Sequence, residues 1–198
     1  RCDGPVSGLI RLTGPPRLAG DAYRRLVACF GETVQGLPAG LFEDELQRAT
    51  GGRDERRLDF SELRDLTRRF LFLFEQASGE PFPQDPRIQV ASAVRAVFRS
   101  WDAPKARAYR RSQGLDDGIG TAVTIQRMVF GNAGGQSGSG VGFTRDPSTG
   151  EPRPWVDFLA NAQGEDVVSG RRDALGHQAL ERLAPVAWDE LRHVAAEL

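Results

Sequence analysis

At 198 residues, the chain is long enough to bury a substantial core as one large domain or two small ones. Its 26 Lys+Arg nearly cancel 27 Asp+Glu, and a net charge of −1 argues against a nucleic-acid partner, which would require a basic surface. Two cysteines make no disulfide framework, which predicts a cytoplasmic setting, and there is neither a signal-peptide pattern nor an apolar run near the ~18–20 residues of a membrane span.

Residues 1–19 are rich in Gly and Pro and predict an irregular arm. Asp21 is expected to cap a helix to about Phe30, with Tyr23, Leu26, Val27 and Phe30 on one face. Pro38 opens a second helix, Ala39 to about Thr50, and residues 51–57 form a charged loop. Ser61 is expected to cap a stronger helix whose apolar stripe (Leu63, Leu66, Phe70, Leu73, Phe74) predicts core packing and which ends near Ser78-Gly79. Pro81, Pro83 and Pro86 impose an extended connector. Asp85 then caps a helix to Trp101 with Ile88, Val90, Val94, Val97 and Phe98 on its apolar face. A further helix from Pro104 to about Ser112 carries Lys105, Arg107, Arg110 and Arg111, which predict a solvated or ion-paired face. Residues 20–112 therefore read as a helical subdomain.

Residues 113–198 read as β-rich with a C-terminal helix. After a hinge at 113–120, the alternation from Ala122 to Phe130 predicts a strand with one buried face. Five glycines and two serines between Gly131 and Gly140 then break regular structure. A short strand from Val141 to Thr144 leads through Arg145-Asp146-Pro147 and a Ser-Thr-Gly turn to a third strand, Trp155–Ala160. That strand ends in a polar cluster of Asn161, Gln163, Glu165 and Asp166. A helix from His177 to Leu198 is interrupted at Pro185, and His177 and His193 read as helix-surface residues. The glycine loop fits either a flexible hairpin or an anion cradle, and it matches neither a GK[ST] phosphate loop nor a GxGxxG fingerprint.

The runs GTAVTIQRMVFGNAGGQSGSGVGFTRDPSTGE and LANAQGEDVVSG, with LTGPPRLAGDAYRRLVACFGETVQGLP and SGEPFPQDPRIQVASAVRAVFRSWDAPKARAYRR upstream, resemble the nucleotide-binding domain of the pyruvate phosphate dikinase family. The resemblance implies an α+β fold: a helical insertion followed by the second part of an ATP-grasp domain. It implies Mg-ATP as cofactor and phosphoryl transfer to a histidine on a separate domain. On this resemblance Gln126, Met128, Val129, Gly138 and Gly140 would contact the nucleotide. Glu165, Asp157 and Asn161 would serve the metal, and Arg145 and Arg172 would join Glu165 in handling phosphate charge. The family's N-terminal lobe has no counterpart here, so a partner lobe is expected to complete the clamp.

Two positions depart from the family pattern: Asp157 stands where glutamate is usual, and Leu175 replaces a glutamine. They motivate an alternative, a cofactor-free enzyme such as a cyclase that holds a hydrophobic small molecule. Its pocket would be an uncovered apolar sheet face lined by Met128, Phe130, Phe143, Trp155, Phe158 and Leu175. The same face would also suit a homodimer.

Overall fold

A computed structural model of the chain describes Gly8, Ile10, Arg11 and residues 15–168 and 173–197. The chain divides into two compact units, Arg1–Gln126 and Arg127–Leu198. Among the described residues, no helix is long and apolar enough to cross a membrane.

The first unit is helical. Helix α1 (Pro16–Thr33) begins earlier than Asp21, because Pro16 suits a first helical turn, where its missing N–H has no intrahelical partner to lose. Pro16–Ala19 thus belong to a helix rather than to the expected arm, most of which lies outside the described residues. Asp21 is not a cap but a buried mid-helix carboxylate, paired with Arg24 at 2.7 Å and Arg25 at 3.1 Å. Glu55 completes the network, at 3.1 Å from Arg24 and 2.7 Å from Arg25.

Helix α2 (Gly40–Thr50) ends at a left-handed Gly51. Helix α3 (Phe60–Ser78) is capped by Asp59, not Ser61. Asp59 accepts from the Glu62 amide at 2.8 Å and Glu62 accepts from the Asp59 amide at 2.9 Å, a reciprocal box that satisfies two orphan donors. The stripe Leu63, Leu66, Phe70, Phe74 packs on Tyr23, Val27 and Phe30 of α1 and on Phe42 and Leu46 of α2. Gly31 lets α1 approach, since a Cβ there would stand 2.8 Å from the Phe42 ring. Phe82, in the proline connector, plugs the end of this core with ring centroids 5.3 Å from Phe30 and 5.2 Å from Phe74. Each fully buried aromatic side chain contributes about 1.5–3 kcal/mol.

Helix α4 (Pro86–Ser100) is capped by Asp85 as expected, but its apolar face is not core. Ile88, Val90, Val97 and Phe98 are all exposed, because no described residue of this unit covers them. Helix α5 (Pro104–Gln113) carries a second surprise. Arg110, expected on a solvated or ion-paired face, is ion-paired but also buried: its guanidinium lies over the Trp101 ring at 3.9 Å and donates to Asp117 and to the Trp101 carbonyl, both at 2.6 Å.

The second unit is built on a three-stranded antiparallel sheet, ordered β1 (Gly138–Phe143), β2 (Trp155–Ala160), β3 (Leu175–Gly176). Short helix α6 (Gly164–Val168) follows β2, and α7 (His177–Leu183) and α8 (Pro185–Glu197) close the chain, with Pro185 making the break. Val156 and Phe158 of β2 pack against Leu180 and Trp188. The strand expected over 122–130 is not formed: residues 121–130 have no strand pairing, and Ile125 is 71% and Val129 88% exposed. Alternation supplies one apolar face, but a strand also needs a neighbouring backbone to bond, and no described residue provides one.

Candidate functional site

The glycine loop is held by the polar cluster that follows β2. Asn161, left-handed at φ 47°, accepts from the Gly134 amide through Oδ1 at 3.1 Å, while its own amide donates to the Ser137 carbonyl at 2.8 Å. Buried Gln163 donates through Nε2 to Asn132 Oδ1 at 3.2 Å. Asp166, at the third position of α6, accepts from the Gln163 amide through Oδ2 at 2.9 Å, half of a capping box that fixes Gln163 in turn. Ser137 closes the loop on itself, its hydroxyl donating to the Gly134 carbonyl at 2.6 Å. The loop is therefore pinned, not a free hairpin. Asn132 was not singled out from sequence, because only the folded register brings it to Gln163.

Close approach explains three glycines. A Cβ on Gly131 would lie 2.2 Å from both the Ala162 carbonyl and Ser139 Oγ. One on Gly138 would enter the Phe158 ring at 2.4 Å, and one on Gly140 would meet the Asp157 carbonyl at 2.7 Å. Gly138 and Gly140 were expected to let a ligand approach the backbone; here the same property lets β2 approach it.

The other anticipated residues fall into separate places. Glu165 is exposed in α6, one end of the sheet, and Asp157 is half-buried within β2. Gln126, Met128 and Val129 lie on the exposed segment before the loop. Arg145 follows β1 at the opposite end of the sheet from Asn161 and Glu165, because β1 and β2 are antiparallel with Gly138 opposite Ala160 and Phe143 opposite Trp155. At ~3.4 Å per residue, β1 alone separates those ends by about 17 Å. Arg145 and Glu165 are thus not gathered around one phosphate group. Arg172 lies outside the described residues.

The apolar set is also divided. Paired residues share a face and successive residues alternate, so Phe143 and Trp155 occupy one face while Phe158 and Leu175 occupy the other. Phe158 is buried in the core with Leu180 and Trp188; Phe143 is 52% exposed, and Met128 and Phe130 precede the sheet altogether. The six residues do not form a single concavity, so the anticipated hydrophobic pocket is not built as expected.

The turn joining β1 to β2 is organised by Asp146, which sequence marked only as a turn residue. Its buried carboxylate accepts from the Ser148 amide at 2.8 Å, the Thr149 amide at 3.2 Å and Arg153 Nη2 at 2.9 Å. The Ser148 amide leads the causes that hold its pKa below the ordinary carboxylate value, with burial opposing and Arg153 assisting.

Magnesium would be met here by carboxylate and amide oxygens of the β2–α6 segment. Among the described residues, no three His, Cys, Asp or Glu side chains cluster to form a protein cage. The donor chemistry of Glu165 and Asp157 nevertheless fits an ion that takes one or two carboxylates and completes its shell with phosphate oxygens and water.

Comparison with known proteins bears on this arrangement. The family described as "Pyruvate phosphate dikinase, AMP/ATP-binding domain" matches residues 39–176. Pyruvate, phosphate dikinase 1 of Zea mays (chloroplastic) is 43% identical over 192 residues, covering 96% of this chain and 20% of that protein. Pyruvate, phosphate dikinase of Clostridium symbiosum is 42% identical over 200 residues, covering 99% of this chain and 23% of that protein. The Arabidopsis thaliana chloroplastic protein is 43% identical over 192 residues, with 96% and 20% coverage. The chain spans about a fifth of the length of these relatives.

Proposed function

This chain belongs to the pyruvate phosphate dikinase AMP/ATP-binding domain family, and on that footing we propose that its pinned glycine loop binds the phosphates of Mg-ATP. The observation that carries the reading is the clamp of Asn161 and Gln163 on Gly134 and Asn132. A loop whose backbone is fixed before binding loses little entropy when an anion docks on its amides. Glu165, with Asp157 within β2, supplies carboxylate to the metal; bound magnesium would offset phosphate charge. Arg172 is a second source of positive charge, whereas Arg145 plays no part at this end of the sheet.

In this reading the sheet and α6 form the second half of an ATP-grasp clamp, which a first lobe completes. The exposed alternating segment 121–130, preceding the loop, is the edge to which that lobe adds, its backbone, in no strand pairing with the described residues, being a ready template for strand addition. Phosphoryl transfer depends on positioning and charge stabilisation, so the chain alone binds nucleotide and does not turn it over at an appreciable rate.

Isothermal titration with Mg-ATP, alone and with the N-terminal lobe of a relative added in trans, tests the reading. Binding that tightens with the lobe and weakens in Glu165→Gln supports it. Absence of binding in both mixtures overturns it.

A further inference from the structure

At the end of the sheet away from the glycine loop, the β1–β2 turn and α8 enclose an open cavity of about 540 Å³. Arg145 lines it from the turn, and Arg192 and His193 line it from α8; Thr144, prolines and alanines complete the wall, and among the described residues none of the lining is acidic. Three cationic or protonatable groups thus line one concavity with no carboxylate side chain among the described lining residues.

The local bonding explains why their donors remain available. Arg153, on the same turn, is committed to Asp146 at 2.9 Å and Glu151 at 3.3 Å, whereas Arg145 takes part in no ion pair among the described residues. Arg145 uses one guanidinium nitrogen to donate to the Gly150 carbonyl at 3.2 Å, which steadies the side chain and leaves the rest of its fork. His193 Nδ1 sits 2.7 Å from the Asp189 carbonyl; a carbonyl only accepts, so Nδ1 carries the proton and Nε2 is left for another partner. Arg192 is 3.9 Å from Asp189 in an exposed pair, loose enough to be exchanged for a better anion. Asp146 and Arg153 therefore brace the turn, and Arg145 is the cation it presents.

We infer that this cavity binds a small phosphomonoester, at a site separate from the glycine loop. Guanidinium forks match phosphate oxygens bidentately, and imidazole Nε2 provides a further contact. The proline and alanine wall accepts a short organic group, and the volume lies in the usual range for small-molecule sites, about 300–1,000 Å³. The inference goes beyond the nucleotide reading and does not depend on it.

The test is an NMR titration of the full chain with inorganic phosphate, glycerol 3-phosphate and succinate, following the Nε–H signals of Arg145 and Arg192 and the His193 ring. The expected result is saturable binding of glycerol 3-phosphate, tighter than phosphate and tighter than succinate. Arg192→Gln and His193→Gln, both at exposed helix positions, should each weaken it about tenfold while Arg192→Lys retains part of it. Shifts of the Gly134 amide on adding Mg-ATP should be unchanged in these variants, so the two sites succeed or fail independently. Non-saturating shifts, equal binding of succinate, or unaltered affinity in the Arg192→Gln/His193→Gln double variant would overturn the inference.

Discussion

Asn161 and Gly134, 27 residues apart in sequence, are joined by a 3.1 Å hydrogen bond from the Gly134 amide to the Asn161 side chain. That bond links the end of β2 to the middle of the glycine loop, and Asn161 adopts a left-handed backbone to make it. The residue thus has two separable roles, one in its backbone and one in its amide.

Replacing Asn161 should separate them. Asn161→Gly tolerates the left-handed angle and removes only the side chain, so it should leave the melting temperature within a few degrees while weakening Mg-ATP binding. Asn161→Ala adds a left-handed penalty of about 1–2 kcal/mol and should lower both. Thermal melts paired with titration calorimetry check the difference; equal nucleotide affinity in wild type and both variants would show that the clamp does not prepare the loop.

Glycine substitutions should rank by contact, not by position in the motif. Gly131→Ala places a methyl 2.2 Å from the Ala162 carbonyl and should cost several kcal/mol, about 3 or more, in the stability of the second unit. Gly135→Ala meets nothing within 4 Å and carries only its positive φ of 59°, a cost of about 1 kcal/mol. Urea denaturation of the two variants measures the gap.

Much of the helical unit was legible. Three- and four-residue spacing located the α1 and α3 stripes, Pro38 marked the start of α2, and Asp85 and Pro86 marked α4; Phe42 and Leu46, the α2 share of the core, were not singled out. The Asp59–Glu62 box was also readable, but Ser61 lay nearer the apolar run and competed for the cap. The failures have physical causes. Asp21 looked like a cap because a lone aspartate before an apolar stripe usually is one; its burial depends on Arg24, Arg25 and distant Glu55. Residues 122–130 have strand alternation, but pairing is a property of the neighbour. In the site, Asn161 and Gln163 were visible as a polar cluster, while their inward attachment to the loop was not. Arg145 and Glu165 flank the same strand in sequence, and only the antiparallel return of β2 reveals that they stand at opposite ends of the sheet.

Acid should loosen the β1–β2 turn. The folded pKa of Asp146 is depressed, so its carboxylate stabilises the native state above the unfolded value of about 4. That contribution fades as pH falls through this value towards the lower folded one. The melting-temperature difference between wild type and Asp146→Asn should therefore be full at neutral pH and shrink below about pH 4. A difference independent of pH would show that the charge does not hold the turn.

The buried network of the first unit should be sensitive to half-removal. Burial raises the pKa of Asp21, but Arg24 and then Arg25 outweigh it and keep the group ionised. Among the described residues, the buried Nε of Arg24 has no hydrogen-bond partner. Asp21→Ala would strip its closest anion, costing about 3–5 kcal/mol in chemical denaturation. Loss of less than about 1 kcal/mol, the size of an exposed pair, would contradict the buried description.

The most direct test of the nucleotide-binding account is titration calorimetry of the purified chain with Mg-ATP, in wild type and in Asn161→Gly. The account predicts saturable binding in the wild type and clearly weaker binding in the variant, with both proteins equally folded. No binding to the wild type, with or without an added N-terminal lobe, would contradict it.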